Sequence, residues 1–176
     1  MSVNSRDTTA KRALNHDNIT FLDYTKALAH HFESINKQWI NDMFVLEDID
    51  KKVLCDPQNY IIDKGGRIWF AEHFEHGIIA TCALLNKGQG AFELTKMGVL
   101  SPVRGLKVGE KLLHHVIKQS ANMNVKMLFL LTNAKCEAAI HLYEKNGFVH
   151  SKDIMRTYGQ SYNRCNVAMR YTVTAN

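Results

Sequence analysis

From Val99 to Leu113 an apolar strand-like end, a short turn and a helical repeat follow one another directly. Arg104, Gly105, Lys107 and Gly109 gather where the helix should start. A helix start offers backbone N–H groups without intrahelical partners and the positive end of the peptide dipole. Glycines let a bulky anion approach the backbone, and an arginine adds charge-assisted hydrogen bonds, so the run suits a pyrophosphate. The competing role for Gly105 and Gly109 is easing helix packing. A Walker loop is excluded because the glycines are too close and no Ser or Thr follows Lys111, and a dinucleotide fingerprint is excluded because Gly-x-Gly is missing. ATP and NAD are therefore disfavoured.

The elements that must position this junction are read from hydrophobic period. Ile19 to Tyr24 predicts a strand. Leu28, Phe32, Ile35 and Trp39 mark one face of a helix over Thr25 to Ile40, and a shorter helical region follows between Asn41 and Asp63. Arg67 to Phe74 and Gly77 to Leu85 predict a hairpin around Glu75-His76-Gly77, with a third strand over Ala91 to Leu100. Val108, Leu112, Leu113, Val116 and Ile117 mark a helix reaching about Asn122. Lys126 to Thr132 predicts a strand, Cys136 to Lys145 a helix stopped by Asn146-Gly147, and Phe148 to Asp153 and Asn166 to Val173 two closing strands. Residues 1–17 lack periodicity and read as a flexible tail before one domain spanning 18–176.

Composition narrows the class. A chain of 176 residues with 45% hydrophobic and 22% charged side chains, two prolines and a net charge of +5 is an ordinary globular domain. No apolar run is long enough to span a membrane, and no export signal is visible. The charge is uneven, eleven basic against four acidic residues over 101–176, yet dispersed rather than bunched, which favours a small phosphorylated ligand over nucleic acid. Cys55, Cys82, Cys136 and Cys165 are scattered like reduced cytoplasmic thiols. The pairs His30-His31 and His114-His115 lie in predicted helices, where neighbours point to different faces, so no metal is expected. Cys136 and His141 stand about 140° apart around a helix, which disfavours a covalent acyl-enzyme.

The run Arg104-Gly105-Leu106-Lys107-Val108-Gly109 resembles the Arg/Gln-x-x-Gly-x-Gly/Ala motif of the GNAT family of acyl-CoA-dependent N-acyltransferases, with Lys107 where the family usually has glycine. The block from Ala138 through Leu142-Tyr143 to Gly147-Phe148 is similar to that family's Ala-x-x-Leu-Tyr-x-x-x-Gly-Phe signature. The resemblance implies a mixed α/β (α+β) fold: a mostly antiparallel sheet of about six to seven strands, splayed into a V and flanked by about four helices. It implies acetyl-CoA as co-substrate, with Arg104, Gly105, Leu106, Lys107, Val108 and Gly109 on the pyrophosphate and the backbone of Met97, Gly98 and Val99 along the pantetheine arm. Gly98 is expected to mark a strand bulge.

The same resemblance places Tyr143 beside the sulfur of CoA, where a neutral phenol could protonate the departing thiolate. Its competing role is as a core tyrosine. Glu93, six residues before Val99, is the candidate base. With Thr95, Met97 and Val99 on its side of the strand it is expected to face the cleft, where burial would raise its pKa. A solvated carboxylate, an ion pair with Lys96 or a water chain instead are the alternatives. Asn133 either binds pantetheine or caps the following helix, the latter favoured because relatives carry their asparagine at the position of Cys136. Asp42, Glu47, Asp48 and Asp50 would suit a cationic amine or form a solvated face, and Trp39, Phe44 and Tyr158 would line an acceptor pocket or belong to the core. The expectation is acetyl transfer to a primary amine, a small molecule before a protein, in a ternary complex. No nucleic acid or membrane partner is expected, and homodimers are common in the family. The alternatives are a non-catalytic acyl-CoA-binding module and, on charge alone, a nucleic-acid-binding protein.

Overall fold

A computed structural model of the chain describes residues 18–104 and 106–172. The expected tail over 1–17, Gly105 and Val173 lie outside the described residues. The chain runs β1 (Ile19–Asp23), α1 (Ala29–Met43), α2 (Asp48–Cys55), β2 (Arg67–His73), β3 (Gly77–Gly88), β4 (Ala91–Val99) and α3 (Val108–Asn122). It continues with β5 (Met127–Thr132), α4 (Glu137–Lys145), β6 (Phe148–His150), α5 (Lys152–Tyr158) and β7 (Val167–Tyr171). The sheet has seven strands in the order β1-β2-β3-β4-β5-β7-β6, and β4–β5 is its one parallel pair among the described residues.

The faces follow from the hydrophobic periods. Leu112, Leu113 and Val116 of α3 are fully buried with Leu94, Leu130 and Phe148 on one side of the sheet. Phe32, Ile35 and Ile40 of α1 and Leu54 of α2 pack with Ile68 and Phe70 on the other, where Ile154 of α5 joins Phe129 and Ala168. Each large side chain so buried contributes about 1.5–3 kcal/mol of hydrophobic stabilisation. Helix α2 opens with a reciprocal cap in which the Glu47 backbone N–H donates to Asp50 at 3.0 Å.

One element departs from the sequence reading. The strand expected over Phe148 to Asp153 ends at His150, because Ser151 turns the chain into α5 by accepting a hydrogen bond from the Ile154 N–H at 3.2 Å.

Two local features shape the centre of the sheet. Pairing of β4 with β5 runs from Ala91↔Met127 to Leu94↔Leu130 and stops there, although both strands continue. On its other edge, β4 pairs Thr95 with Ala83 and Gly98 with Thr81, so Lys96 and Met97 both stand opposite Cys82. The bulge is therefore at Lys96–Met97, with Lys96 in the left-handed region at φ 51°, and not at Gly98 as expected. Glycine is required at 98 for another reason: a Cβ there would lie 2.7 Å from Trp39 Cδ1 and 2.9 Å from Ile35 Cγ2, so only glycine lets α1 sit this close.

Candidate active site

The divergence of β4 and β5 leaves a cavity of about 600 Å³ that runs from the start of α3 to the C-terminal end of α1. At its α3 end, Lys107 occupies the N-cap position in the left-handed region at φ 58°, with no side-chain cap. Glycine adopts that conformation without strain, which explains physically why a glycine is usual at this position of the motif. The first N–H groups of α3 have no partner within the helix. Arg104, Lys107, Val108 and Gly109 line the cavity here; Leu106 packs against the core instead. Arg104 Nε donates to the Val99 carbonyl at 3.1 Å, which ties the guanidinium to the end of β4 and leaves its terminal nitrogens without a hydrogen-bond partner among the described residues.

Tyr143 reaches the middle of the cavity from α4. It is 8% exposed, its hydroxyl lies 3.9 Å from Met97 Sδ, and burial pushes its pKa upward, so the phenol stays protonated across the neutral range. Asn133 also lines the cavity, but both ends of its amide are committed. Nδ2 donates to the Arg164 carbonyl at 2.7 Å and Oδ1 accepts from the Lys135 N–H at 2.9 Å. The helix-capping role expected for Asn133 is not seen, because Cys136 holds the N-cap position of α4.

Glu93 is buried at 1% exposure, and burial raises its pKa, with Lys87 and Lys96 opposing. Neither carboxylate oxygen has a well-formed hydrogen bond. The residue does not itself line the cavity. The bulge explains this: Thr95 and Lys96 fall on the same side as Glu93, Met97 turns to the α3 side, and the expected alignment of Glu93 with Met97 and Val99 is broken. What stands between Glu93 and the cavity are the hydroxyls of Thr95 and Tyr162, 3.4 Å apart, both in the cavity wall and both acting on the carboxylate.

The end of the cavity toward α1 is built from parts the sequence reading did not join. Of the three aromatic residues left between pocket and core, Trp39 and Phe44 line it while also packing on the core, whereas Tyr158 of α5 stacks on Phe129 at 4.4 Å. Lys96 Nζ pairs with Asp50 Oδ1 at 2.8 Å, and Arg164 bridges Asp50 and Glu47. Asp50 and Glu47 are thus consumed by internal cations and Asp48 is an exposed partner of Lys51, which leaves Asp42, on the hollow beside the cavity, as the one member of the acidic set considered above with no cation partner among the described residues. The Tyr162 ring lies between two charges, 4.8 Å from Lys96 Nζ and 5.1 Å from Arg164 Cζ. Burial and the nearby Glu93 push its pKa upward. Lys96, Tyr162 and Arg164 were missed because Asp50 and Arg164 meet across 114 residues of chain, a separation that leaves no periodic trace.

Residues 64–150 match the family model described as an acetyltransferase (GNAT) domain. Over that span, which holds both motifs, the chain matches a GNAT acetyltransferase domain. An acetyltransferase of that family from Staphylococcus aureus Mu50 superposes with a TM-score of 0.77 at 23% identity, covering 87% of this chain and 98% of its own. An acetyltransferase from Streptococcus agalactiae gives 0.75 at 16% identity over 89% and 99% of the two chains. A point mutant of spermidine N-acetyltransferase from Vibrio cholerae gives 0.67 at 15% identity over 88% and 93%. At these identities the likeness is one of fold. No curated protein matches the chain by sequence. The GNAT family consists of acyl-CoA-dependent acyltransferases, and the open V between β4 and β5 fits their co-substrate: an unpaired strand edge, a basic turn and a free helix start adjoin one cavity. Among the described residues no group of side chains could hold a metal ion, and no helix is long and apolar enough to cross a membrane.

Proposed function

We propose that the protein moves an acetyl group from acetyl-CoA to the primary amine of a small molecule, by direct attack in a ternary complex. The observation that carries this reading is the end of β4–β5 pairing at Leu94↔Leu130, which opens the cavity at the two motifs. Acetyl-CoA would supply an activated thioester carbonyl. The backbone of Met97, Gly98 and Val99 would receive the pantetheine arm as an added strand. Arg104, Lys107 and the N–H groups at Val108 and Gly109 would hold the pyrophosphate, with Gly105 and Leu106 of the same motif beside them in sequence. Asn133 acts through the shape of its loop, since its amide is already bonded.

Tyr143 keeps a proton available for a departing thiolate, since the rise in its pKa leaves no phenolate at neutral pH to act as a base. Glu93, with its raised pKa, takes up the proton released by the amine, and the Thr95 and Tyr162 hydroxyls provide the path from the cavity. The protein is read as cytoplasmic, in keeping with its four free cysteines, and homodimer formation is carried over from the family resemblance alone.

A thermal-shift titration with acetyl-CoA and CoA, with ATP and NADH as controls, tests the reading, because a ligand selective for the native state raises the melting temperature. Stabilisation by both CoA forms alone is expected. No shift at millimolar CoA or acetyl-CoA overturns it.

A further inference from the structure

Building on the acetyl-transfer reading, we propose that the acceptor is an amine that also carries a carboxylate, and that Arg164 binds that carboxylate. The guanidinium is unevenly used. Nη1 donates to Asp50 Oδ2 at 2.6 Å and to Glu47 Oε2 at 2.7 Å, while Nη2 donates to Asp50 Oδ1 at 3.0 Å. Asp50 thereby takes the end-on fork, and Glu47 takes the second proton of Nη1. The side-on fork, Nε–H with the remaining Nη2 proton, has no partner among the described residues. That fork matches the two oxygens of a carboxylate.

Its position and rigidity make the fork usable. Arg164 lines both the cavity and the hollow beside it, and 16% of its side chain is accessible. Three hydrogen bonds hold the head group, with the Tyr162 ring at 5.1 Å and the Phe44 ring at 5.9 Å, so little freedom is lost when it binds.

The surrounding charges agree with an anionic group rather than a second cation. Lys135 Nζ sits 5.8 Å from the Phe44 ring without an ion-pair partner among the described residues, and Lys96 is a third cation in the same wall. The carboxylates that do line the cavity, Glu110 and Glu137, belong to the first turns of α3 and α4, and Asp42 lines only the hollow beside it. Asp50 is fully buried, and Glu47 is engaged by Arg164 and the Asn163 N–H. A polyamine would bring its distal ammonium to a wall of cations whose carboxylates are already paired. An amino carboxylate instead meets an open fork, with Trp39 and Phe44 to cover its carbon skeleton.

Acetyl transfer measured with matched pairs of amino acids and their carboxamides, plus a linear polyamine, tests the assignment. The same amines are also assayed as thermal-shift ligands with CoA present, which reads binding without turnover. Loss of the carboxylate is expected to lower kcat/KM at least about tenfold and to remove the shift. Arg164→Lys, which keeps a charge for Asp50 but has no fork, should bring each pair to near parity. Equal or better use of carboxamides or the polyamine by the wild type overturns the acceptor assignment and leaves acetyl transfer standing. A folded Arg164→Lys variant that retains the wild-type preference also overturns it. If CoA stabilises the protein but no amine is acetylated, both readings fail together, whereas a protein that CoA does not stabilise fails at the co-substrate step.

Discussion

Asp50→Asn is the substitution whose cost the geometry defines most closely. Asp50 is 0% exposed and accepts from Lys96 Nζ at 2.8 Å, from Arg164 at 2.6 and 3.0 Å, and from the Glu47 N–H at 3.0 Å. The amide keeps the shape, but it removes the carboxylate that, alone among the described residues, touches both cations, and it turns one acceptor into a donor facing them. Breaking a buried pair in this way costs about 3–5 kcal/mol, roughly a fifth or more of the 5–15 kcal/mol typical of a whole domain. Urea unfolding at pH 7 with linear extrapolation reads the loss. Adding Lys96→Met to Asp50→Asn should recover at least about 1 kcal/mol, because the second change removes one of the stranded charges.

The pH dependence gives an independent reading of the same site. Burial pushes the Asp50 carboxyl up, but the Arg164 hydrogen bond and the Lys96 charge outweigh it and hold the pKa at about 2 rather than 3.8. A depressed carboxyl pKa means that the unfolded chain binds the proton more readily. The contribution is therefore fully present above about pH 4 and is lost as pH falls toward 2, to the extent of about 2.5 kcal/mol. The difference in stability between wild type and Asp50→Asn should narrow over that window. A loss below about 1 kcal/mol at pH 7, with no narrowing in acid, would refute the claim that this carboxylate anchors the cluster.

Three further outcomes follow from the site. Tyr143→Phe should reduce turnover about 100-fold while acetyl-CoA still raises the melting temperature as in wild type; unchanged turnover removes Tyr143 from the acid role. Glu93→Gln should abolish the acid limb of the kcat/KM profile, since activity needs the ionised carboxylate and rises with pH through its raised pKa. The same raised pKa means that wild-type stability declines as pH climbs above about 4.3 toward the folded value, a decline Glu93→Gln should lack; an unaltered rate profile points to another base. Lys107→Gly should stabilise the free protein by about 0.5–1 kcal/mol, the left-handed strain less the entropy of glycine, yet weaken acetyl-CoA binding in thermal-shift titrations. Tighter binding would show that the ammonium plays no part.

The sequence made the local periods readable and the long-range pairings unreadable. The alternation over Arg67 to Leu100 and the helical spacing of Val108 to Ile117 gave four elements close to their observed limits, because burial on one face imposes those periods. Gly98 was noticed for the right residue and the wrong reason, as a glycine accommodating an indole looks the same in one dimension as a glycine in a bulge. The true bulge falls on a lysine, a residue type that rarely takes φ 51°, and what holds it there is an aspartate 46 residues earlier. Tyr143, inside a contiguous motif, was legible; Tyr162 and Arg164, in a loop between α5 and β7, become meaningful only once Asp50 and Glu93 are placed beside them.

The tight seat of Trp39 on Gly98 also gives the molecule an optical reporter. The chain has two tryptophans. Trp69 is 3% exposed in the core beneath α3, with the His115 ring edge-on at 6.0 Å, and does not line the cavity. Trp39 does line it, with its indole N–H fixed on Asn36 Oδ1 at 2.8 Å, so the ring cannot reorient freely to hide a change in its surroundings. Excited at the indole band, the unlabelled protein therefore carries a static signal from one ring and a solvent-sensitive signal from the other, and filling the V should move the emission of Trp39 alone.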